Sequence, residues 1–280
     1  MNLYLQGLQT DRATIEKIAA LARAAGITPL GANAFRCDHV VIDASSKAEI
    51  DALCAAAGLD CTVWPDNRRL ADFKLVAMDM DSTLITIECI DEIADMQGLK
   101  AEVSVITEAA MRGEIEFPES LARRVALLRG LDAGALQRVY DERVQLSPGA
   151  LPMLQEMQKA GLKTLLVSGG FTFFTDRLRA RLNLDYSLAN ELEIIDGKLT
   201  GKVSGAIVDA EEKKRMVERV CAGMGITPKE AIVMGDGAND LRMMGIAGLS
   251  VAFRAKPKVR AQADVALNHV GLDGLLTLLN

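Results

Sequence analysis

Aromatic residues are scarce in this 280-residue chain, at 4%, with a single Trp. Any core must therefore be packed by aliphatic side chains and the 12 Met, which fill irregular gaps well. Histidine is scarcer still: only His39 and His269 occur, which argues against histidine-based triads and zinc arrays. His39, between apolar and acidic neighbours, is read as structural. The five cysteines, Cys37, Cys54, Cys61, Cys89 and Cys221, form no C-x-x-C pair. Their odd number and scatter suit reduced, mostly buried thiols in a cytoplasmic protein. Basic residues are not in excess, and a net charge of −6 leaves no footprint for nucleic acid. No apolar run approaches the ~18 residues of a membrane span, and no basic stretch leads into an apolar segment as a secretory signal would. What remains is ordinary globular composition, half apolar and a quarter charged, with length for two domains or one carrying an insertion.

The chain is organised around Leu75-Val76-Ala77-Met78-Asp79-Met80-Asp81-Ser82-Thr83. A short apolar run fits a strand buried on both faces, as in a parallel sheet, and open α/β sheets place ligands at the carboxyl ends of their strands. Two carboxylates there are costly unless a cation neutralises them, and a hard divalent ion such as Mg²⁺ suits an oxygen-only site. Two later segments repeat the design. Residues 163–167 run into Ser168-Gly169-Gly170, and residues 231–234 into Gly235-Asp236-Gly237-Ala238-Asn239-Asp240. Parallel pairing brings such ends together across long sequence separations.

These motifs, D-x-D-S-T at 79–83, the serine turn at 168–170 and G-D-G-x-N-D at 235–240, resemble those of the haloacid dehalogenase superfamily of phosphotransferases. Within it, the phosphoserine phosphatase family is the nearer resemblance. That likeness also rests on Glu88-Cys89-Ile90-Asp91-Glu92-Ile93-Ala94, on Arg123-Arg124-Val125-Ala126-Leu127-Leu128, and on Val208-Asp209-Ala210 leading to Lys213. It covers roughly residues 73–270. The fold expected is α/β, a doubly wound, Rossmann-like parallel sheet at 71–280 with a small helical cap inserted at about 86–147. Gly98, Gly113 and Gly130 would break the cap into helices. Residues 1–70 read βαββαβ, an α+β ferredoxin-like unit, with extended pieces at 2–8, 28–35, 38–43 and 59–64, helices at 11–25 and from Ser45 or Ser46 to Ala57, and an end at Pro65-Asp66-Asn67. In outline it is similar to ACT-type regulatory modules. No residue in it matches a ligand motif, so a structural or assembly role, including a homodimer through this unit, stands beside amino-acid sensing.

The chemistry implied is Mg²⁺-dependent hydrolysis of a phosphate monoester, phosphoserine by the nearer resemblance, as the last step of serine biosynthesis. Such a site needs a nucleophile, a group to protonate the departing oxygen, and cations for the phosphoryl charge. Asp79 and Asp81 supply the carboxylate pair; the residues alone do not say which is which, and the resemblance makes Asp79 nucleophile and Asp81 acid and base. Asp79, Asp236 and the main-chain carbonyl of Asp81 would hold the metal, with Asp240 either a ligand or a support. Ser168, Gly169 and Asn239 would face the phosphoryl oxygens. Lys213 and Lys214 are adjacent, so spacing cannot choose between them; the resemblance selects Lys213. On the helix bearing Leu121, Val125 and Leu128, Arg124 falls beside the apolar stripe and Arg123 points away. Arg124 would bind a substrate carboxylate and Glu88 an ammonium. The alternatives are a phosphatase or phosphotransferase for another small phosphoester, or a regulatory protein on an inactive scaffold.

Overall fold

Two sheets form in succession from residues on either side of a short connector. The computed structural model describes residues 1–65, 68–112 and 114–279; Asp66, Asn67 and Gly113, expected in the connector and as a cap break, lie outside the described residues. The first unit runs β1 (Asn2–Gly7), α1 (Arg12–Leu21), β2 (Gly26–Gly31), β3 (Ala34–Asp38), α2 (Ala44–Ala57) and β4 (Leu59–Trp64). Its strands are antiparallel in the order β2-β3-β1-β4, the ferredoxin-like arrangement. Alternation decides which side chain faces which layer. Leu3 and Leu5 pack with Ile15, Ile18, Ile50 and Cys54 under the two helices, whereas Tyr4 and Trp64 on the other face join the main core of the protein.

Boundaries in this unit differ from the sequence pattern for local reasons. The expected extended piece at 28–35 is two strands with a turn between Gly31 and Ala34, and 38–43 is not a strand. His39 adopts a left-handed φ of 51°, Val41 is exposed, and Asp43 caps α2 by accepting from the Ser46 amide at 2.9 Å. Helix α1 ends at Leu21, not Ala25, because Arg23 is also left-handed. Its N-terminal cap is Asp11.

The second unit begins with β5 (Leu75–Met78) and returns to the sheet only after the cap helices α3 (Cys89–Asp95), α4 (Lys100–Met111), α5 (Phe117–Leu127) and α6 (Gly134–Arg143). Then follow α7 (Ala150–Lys159), β6 (Lys163–Phe171), α8 (Thr172–Leu182), β7 (Tyr186–Ile195), β8 (Lys198–Ser204), α9 (Ala210–Gly223), β9 (Ala231–Gly235), α10 (Leu241–Met244), β10 (Leu249–Phe253), α11 (Pro257–Arg260), β11 (Val265–Leu267) and α12 (Leu276–Leu279). The sheet order is β11-β10-β9-β5-β6-β7-β8, parallel except for the β7–β8 hairpin. Strand β5 sits between β6 and β9, so the three motif-bearing ends lie side by side. Strands β7 and β8 form a hairpin that turns at Asp196-Gly197. Among the described residues no helix is long and apolar enough to cross a membrane.

Two attachments hold the cap. Its entry and exit form a small ribbon, in which the Thr86 amide donates to the Gln145 carbonyl at 3.0 Å and Ser147 to Leu84 at 2.9 Å. Beyond α5, Gly130 donates to Leu199 and Leu199 to Leu131, which ties the cap to the β7–β8 hairpin. The first unit is docked by Asp60, 2% exposed, whose carboxylate accepts from the amides of Asn268, His269 and Val270 at 2.8–3.0 Å. A buried carboxylate met by three amides and no cation is a strong, oriented joint.

Candidate active site

At the end of β5 the Asp79 amide donates to the Met234 carbonyl of β9 at 3.0 Å, so the ladder carries the first aspartate to the site. The chain then makes one wide turn over 80–84, which requires Ser82 in the left-handed region at φ 55°. The turn sends Asp79 into the protein and aims Asp81 at the cap. Asp79 is 5% exposed and lies 2.8 Å from the ammonium of Lys213, which in turn lies 2.9 Å from Asp240. Lys213 and Asp240 are fully enclosed. Thr83 donates to Asp236 at 3.1 Å. Lys214 points the other way, toward Glu218 on the surface, so the two lysines that spacing could not separate are separated by the helix face.

Oxygens of Asp79, Asp236 and Asp240 lie within 4.8 Å of one another. Three carboxylates face one ammonium, which leaves two negative charges in a poorly hydrated space. Burial and then the Asp240 charge raise Asp79 above the usual carboxylate range against the pull of Lys213, and burial and Asp240 push Asp236 up to about 7. A hard divalent cation balances that charge, and an all-oxygen donor set fits one. Asp240 has both oxygens engaged, one by Lys213 and the other by the Gly237 amide at 3.0 Å. That geometry makes it a brace for the lysine and the loop. Gly235 permits the brace: a Cβ there would stand 2.3 Å from the Asp240 carboxylate. The Asp81 carboxylate lies outside the cluster; it accepts weakly from the Cys89 amide at 3.4 Å, and burial and then Glu88 push it up to about 8. A carboxyl that keeps its proton near neutrality can donate it.

Asp79, Asp81 and Asp236 open onto one cavity of about 770 Å³ between the strand ends and the cap, with Lys213 and Asp240 enclosed behind them. Ser168, Gly169, Gly170, Asp236 and Asn239 line its floor; Glu88, Leu121 and Arg124 line its cap side. Glu88 accepts from the Ser82 hydroxyl at 2.6 Å. Arg123 pairs with Glu119 on the outer face of α5, as the helical spacing requires. Gly170 lets Asp81 and Ser168 approach closely, since a Cβ would come within 2.9 Å of the Asp81 carboxylate and 3.1 Å of the Ser168 hydroxyl. Sequence reasoning missed Phe117, whose ring covers Gly169, and also Asp91, Ser120, Lys256 and Lys258. Three of these had a signal. Asp91 is one helical turn from Glu88, and the two lysines follow the carboxyl end of a further parallel strand. Ser120 is 1% exposed and its hydroxyl has no hydrogen-bond partner among the described residues.

Residues 76–245 match the model of the haloacid dehalogenase-like hydrolases. The chain belongs to that family. As a haloacid dehalogenase-like hydrolase it is 58% identical over 227 residues to a phosphoserine phosphatase of a Polaromonas species, covering 79% of this chain and 96% of that one. The unliganded structure of a probable phosphoserine phosphatase from Vibrio cholerae superposes with a TM-score of 0.82 at 35% identity, covering 99% of this chain and 86% of that one. A phosphoserine phosphatase solved as a phospho-aspartyl intermediate analogue superposes at 0.70 with 37% identity, covering 74% of this chain and 99% of that one. Phosphatases of this family of hydrolases use a divalent metal, and the carboxylate cluster lies where the motifs place one.

Proposed function

We infer that this hydrolase converts O-phospho-L-serine to L-serine and phosphate through an aspartyl-phosphate on Asp79. The observation that carries the reading is a single cavity lined by the carboxylate pair, with Lys213 against Asp79, and by Arg124 and Glu88 from the cap. Its relatives named as phosphoserine phosphatases support it. Asp79 attacks phosphorus, the bond to the serine oxygen breaks, and Asp81 gives its proton to that oxygen. Asp81 then takes a proton from water, the water oxygen attacks phosphorus, and the bond to Asp79 breaks to release phosphate. Lys213, Ser168, the Gly169 amide and Asn239 hold the phosphoryl oxygens. A divalent cation, in our reading Mg²⁺ held by Asp79, Asp236 and the Asp81 carbonyl, would add further charge neutralisation. Arg124 binds the substrate carboxylate and Glu88 its ammonium.

Serine biosynthesis in the cytoplasm is the setting we propose, in keeping with five free thiols. The inner face of the first sheet is occupied by the core, so a homodimer through this unit is left its helical face and its β2 edge.

Comparing phosphoserine with phosphoethanolamine, which lacks the carboxylate, tests the assignment. Loss of one partner of a buried charged pair costs about 2–5 kcal/mol, roughly 30-fold to several thousandfold. Arg124→Ala should lower kcat/KM for phosphoserine by that order and leave phosphoethanolamine nearly unchanged. Equal loss on both substrates would remove the basis for phosphoserine and leave a phosphatase of other specificity.

A further inference from the structure

Strands β6 and β7 stay in parallel register as far as Val167 opposite Leu188, and resume with Phe171 opposite Asn190. Four steps on β6 therefore match two on β7. Ser168-Gly169-Gly170 thus stand opposite the single residue Ala189, and they bow out of the ladder to line the cavity floor. A bulge of this kind leaves main-chain groups without ladder partners, and buried groups need them. Asn190 supplies one. Its side-chain amide, 1% exposed, donates from Nδ2 to the Gly169 carbonyl at 2.8 Å.

The other half of the same carboxamide reaches a different segment. Asn190 Oδ1 accepts from the Val208 amide at 2.8 Å. Val208 precedes Asp209, whose carboxylate caps α9 by accepting from Glu211 and Glu212 at 3.0 and 2.8 Å. One turn into that helix is Lys213. A single buried amide thus joins the serine turn to the start of the lysine helix, and among the described residues no main-chain hydrogen bond pairs the two segments.

We propose that Asn190 is a positioning residue for the phosphate end of the site, holding the Gly169 peptide and the α9 start at a fixed separation. The inference rests on the assignment of Ser168, Gly169 and Lys213 to the phosphoryl group made above. The hydrogen bonds account for the residue type. Aspartate would keep an acceptor for Val208 but set an oxygen against the Gly169 carbonyl, and leucine would fill the space while leaving both main-chain groups unpaired. Because the residue acts through the phosphate-binding groups, its loss must fall equally on every phosphoester, unlike that of Arg124.

The test uses Asn190→Asp and Asn190→Leu in the full chain, with folding checked by circular dichroism. Residues supporting a ligand shell typically change affinity or rate by about 10–100-fold when replaced. Asn190→Asp should lower kcat/KM by that factor for phosphoserine and phosphoethanolamine alike, and weaken inhibition by inorganic phosphate in parallel. Values within twofold of the parent, or a loss confined to phosphoserine, would overturn the proposal. Hydrogen exchange in the parent protein gives a reading that does not depend on either variant folding. Inorganic phosphate with Mg²⁺ should slow exchange of the Gly169 and Val208 amides together; slowing at Gly169 alone would also overturn it. Turnover of phosphoserine by the parent enzyme tests the phosphatase reading separately.

Discussion

Both halves of the molecule bury polar side chains, and they use them for opposite purposes. In the second unit Asp79, Lys213, Asp240, Ser168 and Asn190 converge at the ends of parallel strands, where like charges are crowded around one lysine. In the first unit the buried polar groups include Asn2, Gln6 and Asp60, and Asp60 meets three main-chain amides of the core and the side-chain amide of Asn268. The first set is left with a charge imbalance that a ligand or ion relieves. Asp60 is satisfied as it stands. Unrelieved polarity marks the chemistry, and satisfied polarity marks a joint between units.

Substitutions can break that distinction. The largest effect is expected from Asp79→Asn, which removes the proposed nucleophile and one of three crowded charges. Turnover should fall by about a thousandfold or more while the unfolding midpoint in chelator does not drop. A variant that remains active, or one that is markedly destabilised, would place Asp79 with the structural carboxylates. Next comes Asp60→Ala, which leaves three buried amides without an acceptor. It should cost about 2–5 kcal/mol of stability in denaturant titration, with kcat changed by less than about twofold in the folded enzyme. A strong fall in kcat at unchanged stability would assign the joint a part in the reaction. The smallest effect belongs to Ser120, a buried hydroxyl in the cavity wall with no partner among the described residues. Ser120→Ala should raise stability by about 1 kcal/mol, or roughly 2–4 °C in melting temperature. A lowered melting temperature would mean that the hydroxyl is already bonded.

The core motifs were legible because their signals are local. A short apolar strand followed by acids or small residues needs no tertiary information, and Arg124 and Arg123 are separated by helical spacing alone. The first unit was less legible at its edges. Val40-Val41-Ile42 has the composition of a strand, yet left-handed His39 turns the chain away and the segment forms no ladder. Phe117 gave no local sign of its place over Gly169, because that contact joins a cap helix to a sheet turn distant in sequence.

By itself, the sequence determined the pattern of two sheets with an inserted helical cap, and the three strand ends that carry acids, serine and glycines. Period, turn residues and motif spacing are properties of neighbouring residues, and they survive without a structure. Only the tertiary structure decided which lysine meets Asp79, that Asp240 has no free oxygen, and that Asn190 spans two segments. Those outcomes depend on which groups are enclosed together. Enclosure removes water as an alternative partner, and the identity of the remaining partner is set by packing between elements far apart in the chain.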